Sequence, residues 1–221
     1  MYHCHVQFYL LTHQEEDFDA IRAMPPLEAF THDFFVSGGI QSERLERADV
    51  ILADLRGQEA GTALAALTAG MGEKAQLILL AEYGQTEALG DALERAWDVW
   101  RLPMTERELR FRFLRWQREY KRIKDAWQTS CFLEETINHI PNLIWYKTKD
   151  GIHEKVNDSF CLAVNKTKAQ VEGRGHAYIW DVEQDDPACI ESERVVMTSK
   201  RTCVSEETVK TGGGTKLLTT Y

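Results

Sequence analysis

Asp54 closes the apolar run Val50-Ile51-Leu52-Ala53, which sets a carboxylate at the end of a segment of buried-strand length. In open α/β sheets the ligand crevice lies beyond the carboxyl ends of the strands, so Asp54 either meets a ligand there or stands as a solvated charge. His3-Cys4-His5 puts three residues of metal-ligating type in a row. Adjacent ligands at a strand start rarely close a tetrahedral shell without further ligands, and no metal site is expected. Five cysteines (Cys4, Cys131, Cys161, Cys189, Cys203) are scattered, odd in number and without a C-x-x-C pair. Such usage fits reduced thiols in cytoplasm better than a disulfide framework or a zinc site. There is no G-x-x-x-x-G-K-[ST] loop, H-E-x-x-H pair or G-x-S-x-G elbow, and Gly212-Gly213-Gly214 has no helix after it to receive a phosphate. On these residues the chain is expected not to be an enzyme.

The elements that must position Asp54 alternate. Val6–Leu11 reads as a first buried strand, and Asp17–Ala23 as a helix stopped by Pro25-Pro26. Phe34–Val36 is a second strand before Gly38-Gly39, and Ser42–Arg47 a short helix. The third strand is Val50–Ala53, followed by a small-residue helix over Thr62–Ala69 with glycines at its C-terminal end. Leu77–Leu80, a helix over Thr86–Ala96 and Val99–Arg101 complete the series before Pro103. Apolar runs alternating with helices predict a parallel five-stranded sheet covered on both faces, a doubly wound α/β fold.

From residue 104 to about 138 the pattern changes to one basic helix, about 50 Å long at 1.5 Å per residue. Leu109, Phe113, Trp116, Tyr120, Ile123 and Trp127 follow in steps of four and three, the 3.5-residue period of a supercoiled helix pair. The same spacing suits an amphipathic helix packed on its own domain. Position between two unlike halves favours the coiled coil, with these six residues as the seam of a parallel homodimer.

No apolar run reaches the length needed to span a bilayer, and the N-terminus lacks the basic region of a signal peptide, so a cytoplasmic protein is expected. The net charge is −9, which argues against nucleic acid as a partner of the whole chain. Arg101–Trp127 holds nine basic and four acidic residues, so +5 lies there and −14 elsewhere. That basic face is expected to be solvated and paired with acidic neighbours, with neither nucleic acid nor membrane as partner.

Residues 1 to about 115 resemble the receiver domain of bacterial response regulators. The matching pieces are ADVILADLRG (48–57), AQLILLAEYG (75–84) and AWDVWRLPMTERELRFRF (96–113). The resemblance implies that Asp54 stands where that family accepts a phosphoryl group. The supporting groups it also implies are missing. Leu11-Thr12-His13 replaces the acids that hold a divalent cation, and Glu15, Glu16 and Asp17 come too late to match. Ala81 stands for a hydroxyl residue, Leu102 for a lysine, and Val99 for an aromatic. Electrostatic stabilisation dominates phosphoryl transfer, so Asp54 is read as a vestigial phosphoacceptor in a pseudo-receiver. Arg56 or Arg101 is the available substitute for the lost lysine charge.

The last third resembles a PAS domain. NLIWYKTKDGIHEKVNDSFC (142–161) is similar to its opening hairpin and the N-D-x-F segment after it, with Asp150-Gly151 in the turn and Asn157 capping a helix. KTKAQVEGRGH (166–176) is similar to its middle helix, and TCVSEETVKTGGGTKLLTTY (202–221) to its late hairpin. Gly173-Arg174-Gly175-His176 lacks the cysteine of the flavin-binding members. His176 is the nearest axial-ligand candidate for a haem, but a single histidine at a glycine turn is more often structural. Trp145, Tyr178 and Trp180, with His176, could line a pocket for a small ligand or fill a core, and core filling is the commoner use. No cofactor is expected.

The expected organisation is a pseudo-receiver over 1–103, a signalling helix over 104–139 and an α+β PAS-like antiparallel sheet, incomplete, over 140–221. Such an arrangement resembles the region upstream of GGDEF-type diguanylate cyclases or histidine kinases. It implies a two-component or cyclic di-GMP signalling context, with the helix relaying to an output domain outside the chain. No GGDEF motif or kinase catalytic segment is present. The PAS-like sheet finds four of its five strands before Tyr221, so the chain is expected to be a fragment. The alternatives are a working phosphoacceptor receiver using Asp54 and a dimerisation scaffold without a stimulus.

Overall fold

The computed structural model describes residues 2–184, 187–211 and 214–221, and the chain divides into two units, Met1–Gln128 and Thr129–Tyr221. In the first, β1 (Cys4–Leu11), β2 (Phe30–Ser37), β3 (Val50–Asp54), β4 (Gln76–Ala81) and β5 (Asp98–Arg101) form a parallel sheet in the order β2-β1-β3-β4-β5. This is the flavodoxin-like doubly wound order, and it fits a receiver-like α/β fold. The order reverses at β1, where Phe8 pairs with Phe34 on one side and Val50 on the other.

Burial along the strands explains the order. β3 is buried at all five positions, as an interior strand covered on both faces must be. β1 alternates buried and exposed from Cys4 to Gln7, then is buried continuously from Phe8 to Leu11. On one face Phe8, Leu10, Leu52, Ile78 and Trp100 meet α1 (Asp19–Arg22) and the long helix α5 (Glu106–Asn138). The other face packs Tyr9, Leu11, Ile51 and Leu79 against α2 (Ser42–Arg47) and α3 (Ala60–Gly70), while α4 (Tyr83–Leu89) follows β4. α1 is shorter than its sequence pattern suggests, because a single 3-10 turn over Glu15–Phe18 takes up its start.

The long helix forms where it was expected, but the role of its apolar stripe needs correcting. Leu109, Phe113, Trp116 and Tyr120 are buried in the first unit's core, with the Phe8 ring 5.3 Å from Phe113 and 5.0 Å from Trp116. A four-three spacing presents one helix face, and here the sheet takes that face. These four side chains are therefore not available as a seam between two copies. Ile123 and Trp127 remain 38% and 56% exposed. The charged face carries Glu106–Arg110, Glu108–Arg112, Glu119–Arg122 and Lys121–Asp125 ion pairs at helical spacing.

In the second unit β6 (Trp145–Lys147) and β7 (His153–Val156) make a hairpin, with Gly151 at φ 77° in its turn. Asn165 and Asp181, both left-handed, end α6 (Asp158–Val164) and α8 (His176–Trp180), with α7 (Lys168–Val171) between them. α9 (Pro187–Ser199) and the hairpin of β8 (Ser205–Thr211) and β9 (Gly214–Thr220) complete the unit. The expected glycine turn 212–214 lies partly outside the described residues. Among the described residues the strands form two separate two-stranded antiparallel sheets rather than one. β6 is only three residues long, and its register shifts between Tyr146 and Lys147. Among the described residues its core is small: Val156, Phe160, Val164, Val171 and Ile179.

Candidate functional site

At the carboxyl end of β3 the sequence Asp54-Leu55-Arg56-Gly57 turns sharply, with Gln58 N–H bonded to Leu55 O at 3.0 Å. Gly57, at φ 70°, supplies the left-handed conformation that the turn requires. The turn folds Arg56 back over Asp54. Its backbone N–H donates to Asp54 Oδ1 at 3.1 Å, its Nε to the same oxygen at 3.0 Å, and its Nη2 to Oδ2 at 2.7 Å. Thr12, at the end of β1, donates its hydroxyl to Asp54 Oδ2 at 2.8 Å. Arg56 Nη1 reaches on to Asp17 Oδ2 at 2.8 Å.

The Asp54 side chain is 4% exposed, so the reading of a solvated carboxylate is corrected: it is buried and paired. A carboxylate offers about four lone-pair sites, and the bonds to Thr12 and Arg56 occupy them. The bidentate guanidinium supplies the compensating charge that a buried carboxylate needs. Hydrogen bonding to Asp54 holds the Arg56 guanidinium above its ordinary range, against desolvation and with help from Asp17. Any incoming electrophile would have to displace Arg56 before an Asp54 oxygen could attack it.

Of the two candidate substitute charges, Arg56 occupies the site. Arg101 instead lies over the Tyr83 ring, 5.2 Å from its centroid. Linear spacing set Asp17 aside, yet the 3-10 turn after β1 carries it to Arg56. Ala81 is buried at the end of β4, and its carbonyl accepts Leu102 N–H at 2.9 Å. Leu102 packs against the core, and Val99 lies on the opposite face of the sheet. A 620 Å³ cavity adjoins the cluster, lined among others by Asp17, Phe18, Arg56, Leu102, Met104 and Leu109.

The run His3-Cys4-His5 does not gather ligands. Cys4 is buried while His3 and His5 are exposed, so the three side chains do not converge. Among the described residues no cluster of three metal-ligating side chains occurs. Cys4, Cys131, Cys161 and Cys203 are free thiols, and burial raises the thiol pKa of Cys4 and Cys161.

The four aromatic candidates of the second unit separate. Trp145 and Trp180 pack against Phe160, with ring centroids 5.6 and 5.8 Å away. His176 lies 6.0 Å from Trp180, and Tyr178 is exposed beneath the Arg174 guanidinium. Trp145 also lines a 620 Å³ groove bounded by Leu143 and Ile144 on one side and Leu217, Thr219 and Tyr221 on the other. Asn157, which its sequence context marks only as a helix cap, is fully buried and bonded to three chain segments.

No protein-family model matches the chain, and no curated protein matches it. One similar solved structure is described as a novel family of redox sensors in the streptococci that evolved from two-component response regulators. It is 14% identical, with a TM-score of 0.35, over 96% of this chain and 99% of that one. A likeness of that size carries no weight for function, and the receiver-like reading rests on the strand order and the two covered faces. Among the described residues no helix is long and apolar enough to cross a membrane.

Proposed function

We propose that the chain is the regulatory part of a cytoplasmic bacterial signalling protein. Its receiver-like unit has exchanged phosphoryl chemistry for a fixed internal ion pair. One observation carries this reading: Arg56 holds both oxygens of Asp54, at the position where the family resemblance implies a phosphoacceptor. The guanidinium is part of the chain, so its charge cannot come and go as a phosphoryl group's does. On this reading the first unit contributes shape and contacts rather than catalysis.

The second unit is read as a PAS-like sensor without a resident cofactor. Hairpin order and the helix run from α6 to α8 support that reading. α5 is read as the relay, joining copies of the chain in parallel and leading to an output module, with a diguanylate cyclase as the favoured kind. Ile123 and Trp127 are the seam positions left exposed for such an association.

Incubating the protein with acetyl phosphate and magnesium, then with beryllofluoride, tests the carrying observation. The expected result is no added mass and no trapped fluoride adduct. A stable adduct at Asp54 would overturn the proposal and restore the working-phosphoacceptor reading.

A further inference from the structure

The last four carbonyls of a helix have no intrahelical donor, and something else must satisfy them. At the end of α5 local donors take part of this, His139 N–H meeting Glu135 O and Ile140 N–H meeting Ile137 O, and a side chain distant in sequence bonds Ile137 O and two carbonyls of the linker that follows. Asn157 is 0% exposed, and its Nδ2 points at the carbonyls of Ile137 (2.9 Å), Ile140 (3.1 Å) and Asn142 (2.9 Å). Its Oδ1 accepts from the backbone N–H groups of Ile144 and Phe160, both at 3.0 Å. An asparagine side chain has two N–H donors and two acceptor lone pairs. Here both acceptors are used and the two donors are shared among three carbonyls. The end of α5, the linker 141–144 and the first turn of α6 meet at one amide.

Neighbouring polar groups extend the junction. Asn138 Oδ1 accepts from Asp158 N–H at 3.2 Å and from Lys168 Nζ at 3.0 Å. Ser159 Oγ donates to Ile140 O at 3.0 Å. Lys168 Nζ also pairs with Glu134 at 3.3 Å and Asp158 at 3.0 Å. No residue of the helix from 129 to 138 is fully buried, so directed hydrogen bonds rather than apolar packing hold this part of α5. Such a hold has discrete made and broken states. The linker it fixes is also one wall of the groove lined by Leu143 and Trp145, so groove and junction share a backbone segment.

We propose that Asn157 is a positioning residue that clasps the end of α5 to α6, and that opening this clasp is the conformational step of the second unit. The clasp rests on the geometry above, and its use as a step rests on the relay reading. Hydrogen exchange on the full chain tests it. Asn157→Asp keeps the shape but turns an oxygen toward three carbonyl oxygens. At neutral pH, exchange of amides in 134–146 should accelerate on the order of tenfold or more, while β3 and β4 keep their protection. The difference from wild type, compared at equal pH, should narrow as the introduced carboxyl gains a proton and recovers a donor. Asn157→Ala should show the acceleration without that pH response. Unchanged exchange in 134–146, or acceleration spread evenly over the chain, would overturn the proposal. If both variants fail to fold, Ser159→Ala removes one peripheral bond and Lys168→Met the three of its ammonium, and each should speed the same segment a few-fold. An absent or uniform effect there counts equally against the clasp. Failure of the relay reading shows separately, as a wild-type chain that sediments as a monomer at tens of micromolar.

Discussion

Each face of β3 meets its own layer of buried side chains, whereas among the described residues of the second unit there is one buried cluster, around Phe160. Burial at about 25 cal/mol per Å² makes the first arrangement robust without any single contact mattering most. The second leans on directed polar ties. Lys147 pairs with Glu193, Lys166 donates to Ile179 O at 2.9 Å and to Asp181, and Asn157 joins three segments. Regions held by few apolar contacts open at lower free energy than those built around a full core. The first unit thus has the character of a fixed body, and the second that of a region that opens more readily.

The strongest challenge to that contrast is to hollow out the fixed body. Phe113 is fully buried among Phe8, Phe34 and Trp116. Phe113→Ala should cost about 3–5 kcal/mol in the unfolding of the first unit. That loss should be independent of protein concentration, because the contacts lie within one chain. A loss that shrinks as concentration rises would return Phe113 to an intermolecular seam.

Next in size is the ion pair. Arg56→Met leaves the Asp54 carboxylate buried without its counter-charge, and should destabilise by about 3 kcal/mol in urea unfolding. The double variant with Asp54→Leu should recover much of that loss, since an apolar pair of similar volume needs no compensation. If the single variant is as stable as wild type, the cluster is not what fixes the end of β3.

How far these features were legible in the sequence follows the range of the contacts involved. β3 and β4 are unbroken apolar runs and were readable to within a residue or so. β2 extends back to Phe30, because Thr31, His32 and Asp33 lie on the edge strand of the sheet, where polar residues interrupt the apolar run. The stripe on α5 was legible as a spacing, but spacing names a face and not its partner. Arg56 could be nominated because it lies two residues from Asp54. Asp17 could not, since only the turn after β1 carries it 39 residues back along the chain to Arg56. Asn157 was visible as a helix cap, while its bonds to Ile137 and Ile140 depend on tertiary structure.

A smaller effect concerns pH, and it concentrates in the first unit. His32 lies among the rings of Phe8, Phe30, Phe34 and Phe113, with Gln117 Nε2 3.5 Å from its Nδ1. Burial lowers its pKa below 6.5, and the charge of neighbouring Asp33 opposes this only in part. Below that pH the unfolded chain takes up a proton that the folded chain refuses, so stability falls as pH falls. Its contribution is fully present above about pH 6.5. Melting curves between pH 8 and pH 5 should show this decline, and His32→Leu should flatten it. An unchanged slope in the variant would assign the decline to other groups.

The smallest effect on stability is expected at Trp127. Its ring meets Tyr2 edge-on at 6.0 Å but is otherwise largely in solvent, unlike Trp116 three turns earlier. Trp127→Lys should change the unfolding free energy by only about 0.5 kcal/mol, as exposed substitutions do. Sedimentation of the same variant reads something else. If α5 joins two copies through the exposed end of its stripe, wild type should be dimeric at tens of micromolar (roughly where a modest apolar contact associates) and Trp127→Lys with Ile123→Lys monomeric. Wild type that is already monomeric there would leave these two side chains without a partner of their own kind. The relay reading, which joins copies of the chain through α5, would then lose its main support.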